Sequence, residues 1–460
     1  MTLWNFLREH MMKNQTQTVS EKNAVMSFEE LVIYAEILAE KLRGEKCCAI
    51  CCSSEMSTAM ALLGCFAAGV TAVPMSIRYG DKHCKKILDM VSPTAFITDT
   101  DGTLEIYQIE DSIYKAPRTT PALIMYTSGT TGIPKGTMLT EANIITNITD
   151  IDKYFAIDKN DSILIARPLY HCAVLTGEFL TALIKGTRIV FESGEFNPMY
   201  IAKKIASEEI TTMGGTPTLF SILARFCSQN RKLKLKNIVL SGECMSKETG
   251  KKIRSAFRDA NIYHVYGMTE ASPRISYMPP DRFDEEPDCV GIPLDSVSIK
   301  ILGKDGKSVK EGGEGILWVR GENVMKGYYN ANEQTQKVLK NGWLCTGDIA
   351  MITSRGWLKI KGRSDDMIIR AGMNIYPAEI EAELRKDSRT KDVLVYEFKD
   401  EKKDAQIAMK ISGEFSKTDE VRDMCINLLP SFQIPTIIEL VDEIEKNASG
   451  KIVRRKEKNK

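Results

Sequence analysis

The sequence predicts an α/β protein: a large N-terminal domain of doubly wound sheets, the doubly wound region running to about residue 280, with a small β subdomain at about 290–363, and a small mobile α+β lobe over 364–460. Three observations carry this. At 460 residues the chain is longer than one hydrophobic core usually serves. Helical periodicity and short apolar runs alternate from Ser27 to Leu240, which is the pattern of βαβ units. From Val290 the texture changes to short β runs with hairpin signals at Asp305-Gly306 and Arg355-Gly356. After Arg363, helices and strands mix again around a polar turn at Asp400 to Asp404. The chain therefore divides into a large N-terminal domain, 1–363, and a small C-terminal one, 364–460.

The elements follow in order. Ser27 with Glu30 forms a capping box, and Leu31, Ala35, Leu38 and Leu42 share one face of the helix it starts. The cysteine-rich run Cys47 to Cys52 fits a buried strand and no standard zinc spacing. A helix to about Ala68, a strand at Val70 to Val73, a helix from Lys82 to Met90 and a strand at Ala95 to Thr98 continue the alternation. The apolar stretch Ala59 to Met75 is interrupted by Gly64, Gly69 and Pro74, so it reads as helix, turn and strand and does not span a membrane. A helix near Glu141 to Tyr154 and strands at Ser162 to Ala166, Arg188 to Phe191 and Ile238 to Leu240 complete the region.

Composition excludes other classes. Lys+Arg 62 against Asp+Glu 61 gives a net charge of +1, and the basic residues form no block before Lys451, so nucleic acid is not a partner. Twelve cysteines, after a start reading MTLWNFLREH that is no signal peptide, point to reduced thiols and a cytoplasmic protein.

Leu123 to Met138, LIMYTSGTTGIPKGTM, has the composition of a phosphate cradle. A short apolar strand opens into a loop where Gly129, Gly132 and Gly136 let backbone N–H groups approach an anion. Thr127, Ser128, Thr130 and Thr131 add hydroxyls there and Lys135 adds a positive charge. A Gly/Ser/Thr linker has the same composition. A nucleotide P-loop does not, because its lysine follows glycine and opens a helix, whereas Pro134 precedes Lys135.

TSGTTGIPKG resembles the phosphate loop of the adenylate-forming superfamily of acyl-CoA synthetases, peptide-synthetase adenylation domains and luciferases. Companion motifs follow in the family's order and cover nearly the whole chain. PLYHCAVLTGE, Pro168 to Glu178, resembles the segment walling the acyl pocket, with His171 as the wall residue. SGE, with Gly242 and Glu243, is similar to the loop flanking adenine. In YGMTE the resemblance implies that Tyr266 and Gly267 lie at the nucleotide, Thr269 donates to the α-phosphate and Glu270 ligates Mg²⁺; an aromatic ring, a hydroxyl and a hard oxygen suit those tasks. Asp348 of GWLCTGD would take the ribose hydroxyls. In GRSDDMIIRAGMNIYPAEIE, Arg363 would contact the ribose, Asp365 would be the hinge of a mobile C-terminal domain, and Ala371 and Gly372 would line a thiol tunnel. NASGKIVRR puts Lys451 at the family's adenylation lysine. Three features depart from the pattern: His264 stands where Asn or Gln is usual near adenine, Glu445 stands where proline is usual, and the segment from Asp101 to Thr120 is short.

The resemblance implies ATP-dependent conversion of a carboxylic acid to an acyl adenylate, then transfer to a thiol, most simply that of CoA. Its cofactors would be ATP, Mg²⁺ and CoA. The alternative acceptor is the phosphopantetheine thiol of an acyl carrier protein, and a third reading is a non-catalytic ATP- or acyl-binding relative. The acid should not be an α-amino acid. Amino-acid activators place an aspartate near the position of His171 to pair with the ammonium, whereas Pro168 to Glu178 offers only Glu178, and an unpaired buried ammonium is costly. In ATP–pyrophosphate exchange, free amino acids should fall below aryl or fatty acids; the reverse order would overturn the assignment.

Overall fold

The computed structural model describes residues 1–77, 80–127, 134–192, 197–227, 233–370, 373–399, 405–446 and 452–454. Among these, the α/β alternation resolves into two large sheets, in keeping with the doubly wound sheets expected of the N-terminal domain. A nine-stranded sheet has six parallel strands: Thr18–Glu21, Arg188–Phe191, Ser162–Ile165, Thr212–Gly215, Asn237–Leu240 and Asn261–Gly267. Antiparallel strands close its edges, and the outermost, Ile292–Pro293, holds a proline that an interior strand would not tolerate. A seven-stranded sheet runs Gly327–Tyr328, Lys135–Leu139, Leu123–Thr127, Thr71–Pro74, Cys47–Ile50, Ala95–Thr100, Thr103–Gln108. Local alternation is continuous through both sheets, so it cannot say which sheet a strand joins. That is decided by distant pairings such as Val19 with Ile189 and Tyr328 with Thr137.

The helix Glu55–Ala68 is buried on all its faces from Met56 to Phe66 and touches strands of both sheets. That accounts for its apolar run from Ala59 on, since a helix covered all round needs no polar face. Gly64 lets the helix Phe28–Lys41 come close, because a Cβ there would overlap Leu38. The capping box at Ser27 and Glu30 is present, as is the burial of Leu31, Ala35, Leu38 and Leu42. Cys47–Ile50 is a fully buried central strand; burial pushes the Cys51 thiol up to about 12 and raises those of Cys47 and Cys52. No helix among the described residues is long and apolar enough to cross a membrane.

The β subdomain is a sheet of Val297–Leu302, Gly315–Gly321, Trp343–Ile352, Leu339–Lys340 and Leu358–Arg363. Gly356 turns the chain at φ +82°, as Arg355-Gly356 suggested. Asp305-Gly306 also turns, but only the bridge Leu302–Ser308 follows it directly, and the full partner strand begins at Gly315. Beyond Ile368 a separate core of Ile368, Ile380, Val393, Val395, Ile407, Met409 and Val421 fills a small lobe. The lobe's three-stranded sheet pairs Thr390–Lys399 with Ala405–Gly413; Asp400 to Asp404 lie outside the described residues.

The turn from Gly267 to Arg274 is held by side chains from three distant segments. Asn147, fully buried on the helix Glu141–Tyr154, donates to Arg274 O at 2.8 Å and accepts from Arg274 N at 3.1 Å. Asn323 donates to Ala271 O at 2.9 Å and to Arg274 O at 3.0 Å, and Thr176 donates to Ser272 O at 2.8 Å. Asn147→Ala would leave the amide of Arg274 buried and unpaired, while Asn323 still satisfies its carbonyl. The urea midpoint of the variant should report a loss of about 1–3 kcal/mol.

Candidate active site

The strand Asn261–Gly267 ends the parallel run of its sheet, and its last residues deliver the site. Gly267 has no alternative, because any Cβ would overlap the carbonyl oxygen of Pro273, to which Met268 N donates at 2.8 Å. Tyr266 reaches across to the β subdomain and donates its hydroxyl to Oδ2 of Asp348. Asp348 stands opposite Arg363 in the strand register, with Arg363 Nη1 3.4 Å from Oδ1 and also donating to Thr346 O at 3.1 Å. Burial pushes the Asp348 carboxyl above the usual carboxylate range, against the pull of the Arg363 guanidinium and the Tyr266 hydroxyl. A carboxylate has about four lone-pair directions, so these two partners leave acceptor capacity for a diol.

Glu270 follows in the short turn Thr269–Ala271. Its Oε1 accepts from the hydroxyl of Tyr328 at 2.7 Å, and Met325 N donates to its carbonyl at 2.9 Å. Tyr328 belongs to the edge strand paired with Lys135–Leu139, and Lys135 Nζ stands 5.3 Å from the centre of its ring. The phosphate-loop strand and the YGMTE turn, which come from different sheets, thus meet through Tyr328. No group of three or more His, Cys, Asp or Glu side chains able to hold a metal occurs among the described residues. A single carboxylate oxygen suits Mg²⁺, which keeps waters and takes substrate phosphates with one or two carboxylates. Glu270 fits that role.

The other expected residues divide. Leu123–Thr127 returns antiparallel as Lys135–Leu139, with Thr127 opposite Lys135, so no helix follows the loop, in agreement with the exclusion of a P-loop. Ser128, Gly129, Thr130, Thr131 and Gly132 lie outside the described residues, as do Ala371, Gly372 and Lys451. Gly242 takes φ +90°, a left-handed turn suited to glycine. Glu243 accepts from Thr218 Oγ1 at 2.7 Å and Thr218 N at 3.2 Å, so its carboxylate binds the first turn of the helix Pro217–Cys227. His171 precedes the short helix Cys172–Val174, its ring 4.3 Å from that of Tyr170. The chain then runs into a π-helical stretch, Leu175–Leu180, a form often found at functional sites. Glu178 is buried there and ion-paired with Arg167 through Oε1, while its Oε2 has no partner among the described residues. His264 is buried, its Nδ1 3.0 Å from Pro287 O, and burial lowers its pKa to about 4; its side chain packs inside the protein.

Asp365 lies in the exposed turn after Leu358–Arg363. Around Lys451 the described flanks are pinned. Lys446 bridges to Ile452, and Val453 N donates to Glu445 O at 2.9 Å. Arg454 is ion-paired with buried Glu381 and, at 3.5 Å, with Asp366, and it donates to Val395 O at 3.2 Å. Sequence reasoning missed Tyr328, Arg454 and Glu381. Arg454 sits within the matched NASGKIVRR segment and could have been flagged there. Tyr328 gave no signal, because its two-residue strand is defined only by a distant partner.

Residues 8–329 match the family of AMP-binding enzymes. Over 355 residues the chain is 34% identical to a long-chain-fatty-acid–CoA ligase of Haemophilus influenzae, covering 73% of this chain and 61% of that one. Over 340 residues it is 31% identical to a feruloyl-CoA synthase of Amycolatopsis sp, covering 72% and 68%. The matches thus span about three fifths to two thirds of the length of these curated relatives. The o-succinylbenzoate CoA synthetase of Bacillus subtilis with its acyl-adenylate intermediate superposes with a TM-score of 0.87 at 26% identity, over 99% of this chain and 98% of that one. A double mutant of that enzyme with its product analogue gives 0.70 over 97% of each chain.

Asp348→Ala should weaken equilibrium binding of AMP by about 1.5–3 kcal/mol, the worth of hydrogen bonds to a charged acceptor. Unchanged affinity in calorimetric titration would remove Asp348 from the nucleotide site.

Proposed function

This chain belongs to the AMP-binding enzyme family, and on that premise we propose that it joins a carboxylic acid to a thiol at the expense of ATP. The acid is first activated as an acyl adenylate with release of pyrophosphate; the acyl group then passes to the thiol, that of CoA. The observation that carries this reading is the meeting of Lys135, Tyr328, Glu270, Tyr266, Asp348 and Arg363, drawn from two sheets and the β subdomain, around one turn. CoA is preferred to a carrier-protein phosphopantetheine because the relatives named above are CoA ligases and synthetases.

In the first step a substrate carboxylate oxygen attacks the α-phosphorus of ATP and the bond to the pyrophosphate oxygen breaks. A carboxylate ionised at neutral pH needs no general base. The difficulty is repulsion between the acid and the triphosphate, so the residues' task is to hold both and to stabilise charge developing on phosphate oxygens. Lys135 and the hydroxyls of the 127–131 loop serve the phosphates, Thr269 the α-phosphate, and Asp348 with Arg363 the ribose. Mg²⁺, when bound on Glu270, supplies the compensating charge.

Lys451 serves the first step alone. In the second step the thiol attacks the adenylate carbonyl, and the lysine must give way to a tunnel passing Ala371 and Gly372. A small domain, 364–460, turning on Asp365 against a large one, 1–363, does both as a rigid body. Two observations support this. The superposition is better with the adenylate complex than with the product-analogue complex of the Bacillus subtilis enzyme. Arg454, three residues beyond the lysine, is also tied to Glu381 and Asp366 of the small lobe.

Lys451→Ala should therefore abolish pyrophosphate release, by about 10²–10³-fold or more, while thioester formation from a supplied acyl adenylate and CoA stays near wild type. Both half-reactions are followed on the same folded variant. An equal fall in the two would place Lys451 outside the first step and remove the case for rotation.

A further inference from the structure

Arg274 has no task in the reaction as derived so far. It is 4% exposed, lies four residues past Glu270, and faces Gly267 across the strand pair. Its backbone is bound to Asn147 and Asn323. Its guanidinium makes no hydrogen bond or ion pair with any described residue, and Nε and Nη1 are buried without a partner. Arginine stays charged throughout the range in which proteins are folded, so it cannot relieve its burial by losing a proton. A buried, uncompensated charge is strongly unfavourable unless something completes it.

The nearby carboxylates have other partners. Glu178, next in sequence to Gly177, points toward Gly214 and is paired with Arg167 through Oε1, its Oε2 being buried without a partner. Asp150 takes Lys153 and the amide of Ser296, and Glu270 takes Tyr328. The guanidinium instead rests on Gly177, where a Cβ would come within 2.8 Å of Nη2. Burial pushes the thiol of Cys172, the residue after His171, up to about 12, and the Arg274 charge pulls it the other way. Arg274 thus lies between the YGMTE turn and the Pro168 to Glu178 segment, on the side of the site where the acyl group would enter. A purely hydrocarbon tail lying against it would leave the charge buried without a counter-charge.

We propose that Arg274 binds a second, distal anionic group of the acid, so that the preferred substrates are dicarboxylic acids with one carboxylate activated and the other held by this guanidinium. The proposal rests on the acid-activating function above and narrows its substrate class. A planar guanidinium whose donors are bonded to no described residue suits bidentate recognition of a carboxylate, through Nη2 together with Nε or Nη1.

The test uses the full-length protein and matched pairs: straight-chain mono- and dicarboxylic acids of rising length, and benzoic acid against the phthalic acids. Pyrophosphate release should favour the best diacid over its monoacid by about 10²-fold in kcat/KM. Arg274→Met should collapse that ratio mainly through KM, and Arg274→Lys should keep part of it. Because the side chain has no protein partner, Arg274→Met should show a ligand-free melting temperature no lower than wild type, whereas loss of a structural arginine would lower it. Failure of the methionine variant to fold would count against the proposal, and the lysine variant would still report the ratio. Equal use of monoacids and diacids, or a preference that survives in Arg274→Met, would overturn it. If no acid released pyrophosphate, the ligase reading would fall. Calorimetric binding of the diacids to wild type and Arg274→Met would then decide the anion site separately, with equal affinities overturning it.

Discussion

The site depends on the buried clamp around the turn from Gly267 to Arg274. A short irregular segment that carries functional side chains cannot hold itself in place, because its backbone groups lack the ladder of a sheet or the spacing of a helix. Here Asn147, Asn323 and Thr176 satisfy those groups from three elements far apart in sequence. Each of these side chains is itself buried, so water does not compete for the bonds. The position of Glu270 is therefore set by the protein itself, as the proposed stabilisation of a phosphoryl transition state would require.

Much of this was legible in the chain. The helix Glu141–Tyr154, the strand Arg188–Phe191 and the capping box at Ser27 agree with the sequence expectation because each is set by local chemistry: a cap, a period, an apolar run between turns. Which strand joins which sheet was not legible, since Thr18–Glu21 looks like any short strand until Arg188–Phe191 lies beside it. The same division runs through the site. Asp348, Arg363 and Tyr266 were named from motifs and do meet. Tyr328, which links Glu270 to Lys135, has no local mark. His264 shows the converse, a motif-adjacent residue whose side chain turned into the core.

Charges are handled differently in the two parts of the molecule. Around the candidate site, partners are shared: one Asp348 carboxylate meets both a hydroxyl and a guanidinium. In the small lobe, Glu381 is buried and held on both oxygens, Oε1 accepting from Val395 N at 2.8 Å and Oε2 from Arg454. A buried pair of that kind contributes little net stability, but it fixes one arrangement over others. Here it fixes where the segment after Lys451 begins.

The interleaving of the two sheets also constrains how the chain is made. The strand Thr18–Glu21 cannot take its place beside Arg188–Phe191 until the ribosome has passed that point, and the seven-stranded sheet waits for Tyr328. The helix Glu55–Ala68, apolar on every side, is synthesised early and touches strands of both sheets. During synthesis that helix is the exposed surface in most need of cover, and the large domain must condense late and as a whole.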